Sequence, residues 1–128
     1  MLMVSLMYGN VVDDFIGISE ISRSGGFYIA EIIGTFILVI TILSLSSQRN
    51  EKISLIVGFL VGGMLLATSS TMFANPQVTI ARIFTLSAAG ISLIDALVFI
   101  MMQIIGAILA VLVWKAHLIH FCNINNSK

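Results

Sequence analysis

Glu31, Gln103 and the run Asn75-Pro76-Gln77 are polar groups set among long apolar stretches, and that setting decides what chemistry is open to them. Asn75 is a good helix N-cap, and Pro76 suits the first helical position, where its missing N–H has no partner to lose. A helix over 76–86 rises about 16 Å, roughly half of a bilayer's hydrocarbon core. Such a half-helix leaves its first N–H groups to be satisfied by protein or a watery cavity. Its positive dipole end and the Asn75 amide attract the oxygen of a polar solute and repel cations and hydronium. The plainer alternative is an Asn-Pro turn between two spans. A carboxylate within a span costs about 2.5–3.5 kcal/mol on insertion scales, so Glu31 asks for donors. It reads as an acceptor for backbone N–H groups of a re-entrant loop, as a proton-coupled substrate site, or as a headgroup-level solvated side chain. Gln103, near the middle of another apolar run, needs a partner at depth.

The chain has 128 residues, 59% hydrophobic and 9% charged, with one proline and zero formal net charge; its mean hydropathy is +1.11. That composition belongs to an all-α membrane protein with the lipid bilayer as its first partner, and no basic run points to nucleic acid. Neither a signal peptide nor a removed segment is expected, because residues 1–7 are apolar but short and lead to Asp13-Asp14. The lone Cys122 excludes an intrachain disulfide. His117 and His120 stand three apart without a third ligand nearby, so no metal and no cofactor is expected. Paired-carboxylate sites, Cys/His nucleophile arrangements and phosphate-binding glycine loops are missing from the sequence, so no enzyme is expected.

Three spans are predicted, over 27–45, 53–70 and 93–113, with the half-helix between the second and third. Residues 1–26 form an N-terminal stub and an extracellular loop, 27–114 the membrane unit, and 115–128 a cytoplasmic tail behind the anchor pair Trp114-Lys115, polar and fraying from Asn123 onward. Gly58 and Gly62, with Gly63 beside them, form a Gly-x-x-x-Gly face that admits another helix backbone, and Gly106 lies on a similar small-residue face. Arg23 and Arg82 fall on one side of this topology; Arg49, Lys52, Lys115 and Lys128 fall on the other. The bias sets a multi-pass cell-membrane protein with the loop inserted from outside and a cytoplasmic C-terminus.

In order and spacing, Ala30-Glu31-Ile32-Ile33-Gly34-Thr35, the glycine-rich second span, Phe73 to Arg82, and Gln103-Ile104-Ile105-Gly106-Ala107 resemble the major intrinsic protein family, the aquaporins and glycerol facilitators. The resemblance runs from about Ile21 to Trp114 and is to the C-terminal half only. It implies half of an inverted-repeat fold, with Asn75, Pro76 and Gln77 as one of two Asn-Pro boxes and Glu31 bonded to the loop that carries it. It puts an outer constriction at Gly63, Met72 and Val78. Val78 stands where water-selective members carry an arginine, so small neutral solutes such as polyols or undissociated metalloid acids become candidates beside water. Closing a pore then requires the missing N-terminal half or a second copy, as a homo-oligomer; a truncated, non-functional fragment is the alternative. Ala30 to Thr35 is also similar to the first span of small multidrug exporters, in which Glu31 would exchange protons for cationic drugs.

Overall fold

The computed structural model describes residues 17–23, 25–49, 51–86 and 89–126. Residues 1–16, which hold the predicted stub and the start of the first loop, lie outside the described residues, as do 127 and 128 of the tail. The described residues form four helices in order: α1 (Gly26–Ser47), α2 (Ile53–Ala67), α3 (Pro76–Ile83) and α4 (Leu93–Asn126). The fold of the described residues is all-α. Helices α1 and α4 pack against each other along their lengths, α2 leans on α1, and α3 on α4.

Among the described residues, two helices are long and apolar enough to cross a bilayer: α1, and α4 over Leu93–His120. The expected second span is shorter than read. Helix α2 stops at Ala67 and rises only about 22 Å, less than the roughly 30 Å of hydrocarbon. Its stop has a local cause in Thr68-Ser69-Ser70-Thr71, whose hydroxyls compete for backbone groups. Thr68 turns extended, and both its Oγ1 and its N–H donate to the Met64 carbonyl, at 2.8 and 3.0 Å. The half-helix likewise ends at Ile83 rather than 86. At the other end of the chain, α4 runs to Asn126, into the stretch from Asn123 that was expected to fray. No glycine or proline follows Gly106 to interrupt the helix.

The core sits where α3 and its flanking loops meet the start of α4. Phe73, Ile83, Ile91, Ala96 and Phe99 are buried there, with Phe27 and Tyr28 packed on them. Tyr28 meets Phe99 edge-on at 5.8 Å, and Phe73 tilts against Phe99 at 5.4 Å. Gly106 lets α1 and α4 approach: a Cβ there would lie 2.5 Å from the Ile32 carbonyl oxygen. Helix α2, by contrast, has no buried residue.

Candidate functional site: the anchored Asn-Pro cap

Between α2 and α3 the backbone takes left-handed angles at three non-glycine residues, Thr71, Met72 and Ala74, with φ of 58°, 38° and 48°. Each such residue is costly and persists only where its surroundings fix it. Here the surroundings are a carboxylate. Glu31, fully buried, accepts from Phe73 N–H on Oε1 at 3.0 Å and from Ala74 N–H on Oε2 at 2.9 Å. Gln103 donates its Nε2 to the same Oε2 at 2.7 Å. Met72 turns inward over Gly34, where a Cβ would come within 3.3 Å of its side chain.

The half-helix begins immediately beyond this tie. Asn75 is extended, and its Oδ1 accepts from Gln77 N–H at 2.9 Å as a side-chain cap, with Pro76 next. Thr79, buried, donates both N–H and Oγ1 to the Asn75 carbonyl, at 3.0 and 3.2 Å. Gln103 Nε2 also donates to Thr79 Oγ1, at 2.9 Å. A continuous path of hydrogen bonds thus runs from Glu31 through Gln103 and Thr79 to the main chain of the cap. Gln103 lies about 15 Å along α4 from its start, half the depth of a bilayer core. Asn75, Pro76, Gln77 and Val78 are exposed. A groove of about 240 Å³ opens beside them between α1 and α4, walled by Thr35, Leu38, Asn75, Pro76, Gln103 and Ala107 among others.

A second network, at the start of α4, holds the loop from the other side. Arg23 is buried, and its Nε donates to the Gly90 carbonyl at 3.1 Å and Nη1 to the Ser70 carbonyl at 3.4 Å. Its guanidinium lies 5.6 Å from the Phe27 ring and 5.4 Å from the Phe73 ring. Burial pulls its pKa below the ordinary arginine value, and the neighbouring Glu31 carboxylate opposes that pull. The Arg23 backbone N–H donates to Asp95 Oδ2 at 2.8 Å, while Tyr28 OH donates to Asp95 Oδ1 at 2.9 Å. Ser92 caps α4: its hydroxyl accepts from Asp95 N–H at 3.2 Å and donates to Asp95 Oδ2 at 2.8 Å. Arg23 and Asp95 had no assigned role in the sequence reading. For Asp95 a signal was available, since Ser92-Leu93-Ile94-Asp95 has the spacing of a capping box; a lone loop arginine gave none.

Lysine at position 23 keeps the charge but cannot span both carbonyls. Arg23→Lys is therefore expected to weaken the loop by about 1.4 kcal/mol, a roughly tenfold faster hydrogen exchange at Met72 and Phe73. Mass-spectrometric exchange in detergent checks this, and unchanged rates would remove Arg23 from the account.

The other sequence-derived residues are placed as follows. Of Gly63, Met72 and Val78, only Met72 is buried, while Gly63 and Val78 face outward. Gly58, Gly62 and Gly63 have nothing within 4 Å of where a Cβ would stand, and they floor an open groove of about 340 Å³ on α2. His117 stacks on Trp114 at 5.8 Å. Among the described residues no three His, Cys, Asp or Glu side chains come together as a metal site.

With that geometry in hand, comparison with known proteins narrows the reading. No protein-family model matches the chain, and no solved structure does. A curated relative does match: over 83 residues, 65% of this chain, the sequence is 35% identical to the aquaglyceroporin AqpS of Rhizobium meliloti (strain 1021). The matched stretch is 36% of that protein, so the chain spans little more than a third of its relative's length. The chain is thus an all-α membrane protein similar, over most of its own length, to part of an aquaglyceroporin.

Proposed function

We propose that this chain supplies one half of a passive transmembrane conduit for water and small neutral solutes, polyols or undissociated metalloid acids. The observation that carries the reading is the tie between Glu31 and the Phe73 and Ala74 amides, which fastens the start of a short, capped helix to the buried face of α1. In this reading the cap lies at mid-membrane, where α3 presents its positive dipole end and the Asn75 amide to a passing oxygen. Those same partial charges raise the energy of a proton or metal cation there. Gly63, Met72 and Val78 form the outer constriction, and Val78 in place of a cation leaves it apolar enough for solutes larger than water.

The exposed glycine face of α2 and the exposed Asn75-Pro76 tip are the surfaces on which the other half closes, either a separate polypeptide or an inverted second copy. The similarity to an aquaglyceroporin supports the solute class. The exporter reading loses its substrate site, because both oxygens of Glu31 are occupied by donors from the loop and Gln103.

Stopped-flow light scattering on liposomes carrying the purified chain tests the proposal. With an inverted second copy as the other half, glycerol and water are expected to equilibrate faster than in empty liposomes, with proton leak unchanged. Rates equal to those of empty liposomes would overturn conduction by this chain, and a flux driven by a proton gradient would turn the assignment toward the exporter.

A further inference from the structure

Two buried oxygens at the groove beside the Asn-Pro cap have no hydrogen-bond partner: Thr35 Oγ1 and Gln103 Oε1. Their residues are 4% and 2% exposed, and both belong to the wall of the same groove. Gly106, one turn beyond Gln103, explains the coincidence, since it draws α4 onto Ile32 and Thr35 of α1. An unsatisfied buried oxygen is costly, so two at one place call for a donor. Thr35 has a recourse within its own helix, because a threonine hydroxyl can turn onto the carbonyl one turn back. Gln103 Oε1 has none: both Glu31 and Thr79 take donors from its Nε2, and an amide oxygen can only accept.

We propose that this groove binds one small neutral O–H donor, water or a single hydroxyl of a polyol, held between Gln103 Oε1 and Thr35 Oγ1. The donor gives its proton to Gln103 Oε1, and the Thr35 hydroxyl completes the site as donor or acceptor. The groove holds many times the roughly 30 Å³ that a water occupies in the liquid. Both oxygens are covered in the structure, so entry requires a side-chain rearrangement of the groove wall, for which Thr35 has a second helical rotamer. An occupant here also fixes the Gln103 amide in the orientation that serves Glu31 and Thr79. The choice of water and polyols as occupants rests on the conduit reading; the site itself rests on the two orphaned oxygens.

The test is NMR on the full chain, isotope-labelled in nanodiscs, reading nuclear Overhauser cross-peaks to the Gln103 side-chain amide and the Thr35 methyl. The probes are water alone and then added glycerol. Cross-peaks at both residues are expected, from water in the first condition and, where a polyol hydroxyl takes the place, from glycerol carbon-bound protons in the second. Thr35→Val should abolish the Gln103 cross-peak, and Thr35→Ser should retain it. Absence of any solvent or glycerol cross-peak at Gln103, or one undiminished in Thr35→Val, would overturn the site. If the valine variant fails to fold, the wild-type and serine spectra decide. Cross-peaks in a chain whose liposomes do not conduct would sink the conduit and leave the site.

Discussion

Replacing Glu31 with alanine is expected to release the loop that carries the half-helix, with the largest single loss of order in the molecule. Three donors then lose their acceptor, two of them backbone N–H groups buried at Phe73 and Ala74. Hydrogen bonds to a charged acceptor contribute about 1.5–3 kcal/mol each, though not additively. Against this stands the penalty of burying the carboxylate, which alanine removes. The unpaired amides win, because breaking a buried polar network from one side costs about 3–5 kcal/mol. The three left-handed residues of the loop also lose what fixes them, so they relax instead of holding the cap. A loss of about 3 kcal/mol corresponds to more than a hundredfold faster exchange at the Phe73 and Ala74 amides. Glu31→Gln keeps one acceptor oxygen and turns an NH₂ toward the other amide, so roughly half the effect is expected. Exchange at these two amides within threefold of wild type in the alanine variant would mean that the loop holds itself.

Gly106→Leu is expected to part α1 from α4. The obstacle at position 106 is a backbone carbonyl, that of Ile32, with Thr35 Cβ at 3.2 Å behind it, and neither can rotate away. Overpacking of this kind costs about 1–3 kcal/mol even for a few added methylenes, and here the helices must move apart to admit any side chain. Gly106→Ala should already lower the thermal midpoint in detergent. Gly58→Ala is the matched control, because none of the described residues comes within 4 Å of a Cβ there and alanine favours a helix over glycine by about 1 kcal/mol. The same substitution should thus act in opposite directions at two positions that look alike in sequence. Equal midpoints for Gly106→Leu and wild type would show that α1 and α4 are not joined at this glycine.

That pair also shows where reading the sequence stops. A small-residue face is visible in both places, but whether a partner covers it is a property of the assembled helices, and only Gly106 meets one within the chain. Asn75-Pro76 was legible as a helix start because an N-cap and a first-turn proline act through local geometry. The need of Glu31 for donors and of Gln103 for a partner was legible from their apolar surroundings. That loop N–H groups serve Glu31 was one of the readings its setting allowed and the one the family resemblance singled out; that Gln103 is a further donor to it, with Thr79 as its second acceptor, came from neither. The end of α2 was misjudged because apolar composition continues into a threonine and serine run whose hydroxyls divert the backbone. Asp95 could have been found from Ser92 three residues before it. Arg23 could not, since its partners are carbonyls of Ser70 and Gly90, far away in sequence and anonymous in type.

The central claim is that the Asn75-Pro76 turn is held deep in the bilayer, and the direct measurement is depth by electron paramagnetic resonance. In a Cys122→Ser background, a nitroxide at the exposed position Gln77→Cys is compared with one at Leu38→Cys, near the middle of α1, and one at Gln48→Cys, at its end. The account predicts oxygen and nickel-chelate accessibilities at position 77 that match position 38 and differ from position 48. A label at position 77 reporting the headgroup depth of position 48 would contradict it.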